Sequence, residues 1–300
     1  MKRFLLLALL VLGATAHAQS VMRQALLIGI SKYSDPAIPV LPGVPTDMDS
    51  AKQIAQAMGI PGTGVTVLRD DQATKEAIVA QLNRMASTLG DGGRMLVYFS
   101  GHGTRWNDPQ AGGCVEGLLT FDRQAIVNRE FAQIVQPIGV RADKLIIMFD
   151  ACHSGGLSAI RTGTRSLASP SGLTPKFFVK ADEAPNSCSK PANIRTRSLM
   201  GGSNTVEKLP ENVVQITSSR PDEVSFDEPG RGGLATQGVR DCMMGKAKDL
   251  DGSGSITLSE IEFCAQEFIR ERVKPFPDLL PHHVTVTGLR NLIATPTKPA

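Results

Sequence analysis

The chain has 300 residues, enough for one large domain or two small ones, and its 41% hydrophobic and 5% aromatic content fits a globular protein with an aliphatic core. Its 32 basic and 29 acidic residues leave a formal net charge of +3, too close to balance to call for nucleic acid or an anionic membrane as a partner. Past the N-terminus no stretch approaches the roughly 20 apolar residues of a bilayer-spanning helix, and no internal repeat is present.

In chain order, Lys2 and Arg3 precede an apolar run over residues 4–14, and Ala16-His17-Ala18 then supplies small residues one apart. This is the pattern of a cleaved secretory signal over residues 1–18, so a secreted or periplasmic protein beginning near Gln19 is expected. No cysteine follows the run to take a lipid. Short Val/Ile/Leu-rich runs at residues 25–30, 65–68, 95–99, 145–149, 213–217 and 283–286 read as strands buried on both faces. Helix-period stretches lie between them at residues 47–58, 74–89 (opening on a Thr cap) and 128–135. Later segments at 235–244 and 258–269 can also be helical. This alternation predicts an α/β fold with a mainly parallel sheet of six strands flanked by helices.

Residues 156–210 break the alternation. They are rich in Ser, Gly, Pro, Thr and basic residues, and read as a long surface loop or processing linker with basic bonds at Arg161, Arg165, Lys180, Arg195 and Arg197. The chain thus divides into 1–18, a first half at 19–155, the linker at 156–210 and a second half at 211–300. An exported chain meets oxidising conditions, so thiols tend to pair. Of the five cysteines one should stay unpaired, and Cys152, within the motif FDACHSGG, is the one expected to; the other four allow three pairings, of which proximity in sequence favours Cys242 with Cys264 and Cys114 with Cys188.

Two motifs follow predicted strands: YFSGHG at 98–103 and FDACHSGG at 149–156. Ligands of open α/β sheets bind beyond the carboxyl ends of strands, so both motifs can reach one cleft. There, imidazole of His102 can accept the proton that makes the Cys152 thiol a nucleophile. Gly101 and Gly103 permit a tight turn around His102 and leave peptide N–H groups accessible. The N–H groups of Gly103 and Cys152 are the expected oxyanion donors. His153 adjoins Cys152 but points elsewhere on an extended backbone.

SGHG followed by DACHSGG resembles the catalytic pair of caspase-like cysteine peptidases, and the D-x-C-H-S-G form resembles metacaspases and bacterial caspase homologues; a His-to-Cys spacing of about 50 residues is known for caspases. The resemblance implies a three-layer caspase-like fold and a thiol protease acting on polypeptides without a catalytic cofactor. It also implies two acidic residues in the pocket for the residue before the cut: Asp150, and Asp47 in LPGVPTDMDSA, with Asp49 a near competitor and helix capping an alternative role for Asp47. Such a pair favours Arg or Lys through charge-assisted hydrogen bonds, and a protease of that preference finds sites in its own linker. The segments at 218–223 and 230–236 are placed by the resemblance on the far side of the cleft. The alternatives are a non-enzymatic, calcium-stabilised binding module on the same fold, and a peptidase preferring Asp or Asn.

DLDGSGSITLSE, residues 249–260, resembles an EF-hand loop. Asp249, Asp251 and Ser253 take the first, third and fifth places, Ser255 offers a carbonyl, Thr257 stands ninth and Glu260 closes the set, with Gly254 at the sharp turn. Hard oxygen ligands at this spacing suit Ca²⁺, either structural or activating. An acidic turn starting a helix is the alternative.

Overall fold

A computed structural model describes residues 22–110, 113–152, 172–178, 212–220 and 223–295. The signal-type leader, His153, Cys188 and the five basic linker residues named above lie outside these ranges.

The six runs expected to be strands all join one sheet. They form β1 (Arg23–Gly29), β2 (Val65–Arg69), β3 (Gly93–Ser100), β7 (Ala142–Asp150), β9 (Val213–Thr217) and β13 (Thr285–Gly288), in the order β13-β9-β7-β3-β1-β2. Every pairing is parallel except that of β13 with β9. Alternation along the strands divides the core. Ala25, Leu27, Leu96, Tyr98, Ile146 and Met148 pack on one face beneath α1 (Val44–Ala57), α4 (Leu234–Asp241) and α5 (Leu258–Val273). Leu26, Ile28, Val97, Phe99, Ile147 and Phe149 pack on the other beneath α2 (Lys75–Thr88) and α3 (Asn128–Arg141). Both faces are covered, which is why the strands read as continuous apolar runs.

Local chemistry sets the helix ends. Thr74 caps α2, its hydroxyl accepting from the Ala77 N–H at 3.2 Å. α3 runs past the expected end at residue 135 and through the exposed Pro137, because Ile138 and Gly139 still face the core. α1 starts earlier than expected, at Val44, so Asp47 stands within its first turn and does not cap it.

The periodicity did not show the smaller sheets. Between β3 and α3 lies an antiparallel sheet of β4 (Gly103–Asp108), β5 (Gly113–Leu119) and β6 (Ala125–Val127). A second joins β8 (Thr174–Pro175), β10 (Phe226–Glu228) and β11 (Gly232–Gly233). A third pairs β12 (Ile256–Thr257) with β14 (Ile293–Thr295). The β8 segment corrects the reading of 156–210 as surface throughout: Leu173, Lys176 and Phe177 are buried. Cys242 and Cys264 form a disulfide between the end of α4 and α5, Cys114 is disulfide-bonded, and Cys152 is a free thiol.

Candidate active site

β3 and β7 are neighbours, with Ser100 opposite Asp150 at their carboxyl ends. His102 and Cys152 each lie two residues further on, so the two motifs emerge side by side. Both side chains are fully buried. His102 Nε2 is 2.7 Å from the Pro39 carbonyl oxygen, which can only accept, so Nε2 carries the hydrogen and Nδ1 keeps its lone pair. Nδ1 has no hydrogen-bond partner among the described residues. Burial lowers the His102 pKa to about 4, so the ring is neutral in the physiological range. Tyr33 fixes the loop by accepting the His102 N–H on its hydroxyl at 2.7 Å.

Burial also raises the Cys152 pKa to about 12, so the resting sulfur is a thiol. Its Sγ receives the Ser225 N–H at 2.9 Å and lies 3.2 Å from the Ser225 carbonyl oxygen. Neither glycine beside His102 has a positive φ, so what sets Gly103 apart is the missing side chain. At Gly103 a Cβ would stand 1.6 Å from the Cys152 carbonyl oxygen, so a hydrogen here is what lets the two motifs touch.

The N–H groups of Gly103 and Cys152 converge on one oxygen, the Lys176 carbonyl, at 3.0 and 3.1 Å. Lys176 reaches the cleft in an extended segment. Pro175 and Thr174 pair antiparallel with Phe226 and Asp227, and the Lys176 N–H donates to the Ser225 carbonyl at 3.0 Å. Beyond it, Phe177 bridges Gly103, and the Phe178 N–H donates to the Gly103 carbonyl at 3.0 Å.

The Lys176 side chain enters an acidic chamber. Its Nζ lies 2.7 Å from Asp47 Oδ2, 2.8 Å from Ser100 Oγ, 3.2 Å from Asp150 Oδ2 and 3.9 Å from Asp227 Oδ1. Lys176 and all three aspartates are completely buried. The chamber is closed by the start of α4, where the Gly233 N–H donates to Asp47 Oδ1 at 2.8 Å and the Thr236 hydroxyl to Asp150 Oδ2 at 2.5 Å. These carboxylates thus satisfy first-turn donors of a helix whose own N-cap, Gly233, offers no side chain. A Cβ at Gly233 would lie 2.5 Å from Nζ, so a side chain there would displace the ammonium. Burial raises the pKa of Asp47 to about 7 and pushes Asp227 up, while the surrounding carboxylates hold Lys176 charged.

The caspase-domain family model matches residues 22–261. The chain belongs to the caspase-domain family of cysteine peptidases. It is 30% identical to metacaspase-7 and to metacaspase-4 of Arabidopsis thaliana, over 146 and 147 residues; each match covers 45% of this chain and, respectively, 35% and 34% of the relative. The chain thus spans about a third of the length of these curated relatives. In fold it is similar to a crystal structure of a Geobacter sulfurreducens protein, with a TM-score of 0.61 and 16% identity over 92% of this chain and 100% of that one. It is also similar to caspase-1 from Spodoptera frugiperda, with a TM-score of 0.57 and 12% identity over 93% and 92% of the two chains.

Within this caspase domain the sequence-predicted pocket residues, Asp47 and Asp150, meet on one ammonium. Asp49, the competitor of Asp47, is exposed and pairs with Lys52 and Arg69. Of the two segments placed across the cleft, 230–236 supplies Gly233 and Thr236. Sequence reasoning passed over Ser225 and Asp227, which lie between those segments, and Lys176. The available signal for Lys176 was the apolar pair Phe177-Phe178 after it, out of place in a solvated linker.

The 249–260 loop has EF-hand-like internal bonding. Asp249 accepts the N–H groups of Ser253 and Gly254 at 3.1 and 2.7 Å, and Asp251 also accepts that of Ser253 at 2.9 Å. Carboxylate oxygens of Asp249, Asp251 and Glu260 lie within 4.8 Å of one another. The Ser255 carbonyl accepts the Ser253 hydroxyl at 3.2 Å, and Thr257 forms a capping box with Glu260 at the start of α5. The loop thus groups three carboxylates and starts a helix. Among the described residues no helix is long and apolar enough to cross a membrane.

Proposed function

We propose that this chain is an endopeptidase that cleaves after basic residues through Cys152 and His102, and that the Lys176–Phe177 bond is a substrate already seated in cis. One observation carries the reading: Lys176 places its carbonyl on the Gly103 and Cys152 N–H groups while its ammonium fills the acidic chamber. A peptide substrate needs both placements at once, the first for the developing oxyanion and the second for recognition.

In the reaction, the Cys152 thiol gives its proton to His102 Nδ1 as sulfur adds to the Lys176 carbonyl carbon. The oxygen, now negative, stays on the Gly103 and Cys152 N–H groups. Collapse breaks the C–N bond, and the imidazolium returns the proton to the departing Phe177 amine. Water, deprotonated by the same imidazole, then hydrolyses the thioester. A neutral His102 with a free Nδ1 supports this order, in which the thiol ionises as it attacks.

The same reading covers two further expectations. The bonded Cys242–Cys264 pair beside a free Cys152 accords with export by residues 1–18 to an oxidising compartment. The 249–260 loop is proposed to bind Ca²⁺ through Asp249, Asp251, Ser253, Ser255, Thr257 and Glu260, supported by its preset carboxylates.

The test compares wild type, Cys152→Ala and Lys176→Ala by intact mass and N-terminal sequencing. Wild type should yield a fragment beginning at Phe177. Cys152→Ala should stay whole and leave Arg and Lys peptides uncut. Lys176→Ala should lose that fragment yet cleave added peptides. Hydrolysis surviving in Cys152→Ala would overturn the mechanism, and peptide cleavage confined to Asp or Asn sites would overturn the specificity.

A further inference from the structure

Lysine does not use all that the acidic chamber offers. An ammonium has three hydrogens. Lys176 donates to Asp47 Oδ2 and Ser100 Oγ at 2.7 and 2.8 Å, and its ammonium pairs with Asp150 Oδ2 at 3.2 Å. Among the described residues two carboxylate oxygens of the chamber have no hydrogen-bond partner, Asp150 Oδ1 and Asp227 Oδ1, both in fully buried residues. An unmet buried acceptor is costly, more so when it belongs to a group able to carry charge.

Asp227 is held firmly for the purpose. It stands on β10, the strand that pairs with the segment bearing Lys176. Its Oδ2 accepts the Gly43 N–H at 2.7 Å, at the N-terminus of α1, where the helix dipole favours a negative group. A Cβ on Gly43 would stand 2.4 Å from Asp227 Oδ1, so the glycine leaves room for the carboxylate. The free oxygen lies 3.9 Å from Nζ, beyond hydrogen-bonding reach of lysine.

Arginine carries five donors in a planar fork and places its terminal nitrogens one bond, roughly 1.3 Å, deeper than lysine does. That increment brings a donor from 3.9 Å into hydrogen-bond range of Asp227, while its other donors keep Asp47 and Asp150. Resting on the proposed function, we infer that Asp227 is a specificity-determining residue which makes arginine the preferred residue before the cut. Lysine, at position 176, is then the weaker occupant of its own pocket. An arginine substrate competes with advantage against the seated segment.

The experiment uses two peptides identical except for Arg or Lys before the cut, with the full chain and its Asp227→Asn variant. Wild type should favour the Arg peptide in kcat/KM by about 10-fold or more, the scale expected for a charged hydrogen bond formed with one substrate only. Asp227→Asn should bring the ratio near unity, with most of the loss on the Arg peptide. Thermal unfolding confirms that the variant is folded, and Asp227→Glu should recover part of the preference, which a merely structural role would not predict. A wild-type preference for Lys, or an Arg-to-Lys ratio unchanged in folded Asp227→Asn, would overturn the inference. If wild type cuts neither peptide, the peptidase reading fails. Calorimetric binding of the two peptides to Cys152→Ala/Lys176→Ala, with and without Asp227→Asn, then decides the inference by the same ratio.

Discussion

Asp47, Asp150 and Asp227 gather in the interior, whereas Asp249, Asp251 and Glu260 gather beside an exposed loop, and the two trios meet their mutual repulsion differently. In the interior no water screens the charges, so burial raises the pKa of Asp47 and Asp227 and the Lys176 ammonium supplies the counter-charge. At the loop, Ser253 hydrogen bonds hold the Asp251 pKa below its ordinary value, and the Thr257 and Leu250 N–H groups do the same for Glu260. The buried trio surrounds the Lys176 ammonium, whereas in the loop trio Asp249 and Asp251 are exposed and Glu260 is buried.

The largest expected effect comes from removing one buried charge. Asp47→Asn leaves the shape but weakens recognition of the ammonium, and kcat/KM for basic peptides should fall by about 10²-fold or more, the cost of breaking a buried charge pair. A fall of less than threefold would place the selectivity outside the chamber.

The two trios should next part in their response to pH. Asp47 has a folded pKa near 7, above its ordinary value of 3.8, so its contribution is most favourable at low pH and is lost as pH rises through 7. Asp251 and Glu260 are shifted down, so their contribution is present above the ordinary carboxylate range and is lost only as pH falls below it. Lys176 stays charged throughout this interval. In uncleaved Cys152→Ala protein, the melting temperature should therefore decline as pH rises from the ordinary value of 3.8 to about 7 and level off above it, and adding Asp47→Asn should flatten the slope. The comparison cancels the buried histidines, which titrate in both proteins. An identical slope in both would remove Asp47 as its source.

Calcium should act on the loop trio alone. Ca²⁺ at ten times its Kd adds about 1.4 kcal/mol, a few degrees of melting temperature, and Asp249→Asn should abolish the rise while Asp47→Asn should not. No rise in wild type would leave the loop as an acidic turn and helix cap. The smallest effect belongs to Asp49→Ala. Its ion pairs with Lys52 and Arg69 are solvent-exposed, so stability should change by no more than about 0.5 kcal/mol, and peptide cleavage should be unaffected.

What the sequence determined by itself was the central sheet and the pair of motifs at its edge. The inner strands, buried on both faces, are apolar almost throughout, the partly buried edge strands β2 and β13 keep short Val-rich runs, and helices with one covered face carried their period. His102 and Cys152 were legible because the same motifs that carry them mark strand ends. The small sheets were not legible: β8, β11 and β12 have two residues each, too few to show alternation, and their pairing is decided by what lies opposite. Tertiary structure alone decided that Asp47 turns inward while Asp49 faces solvent, since α1 rotates one into the core and the other out of it. It alone brought Asp227 from β10 and Lys176 from the linker to the same chamber. Lys176 is 24 residues past Cys152 in a segment with the composition of a solvated loop. Its place depends on backbone pairing with Ser225 and Phe226 and on three carboxylates from separate elements, and the apolar pair Phe177-Phe178 is the one mark this leaves near residue 176.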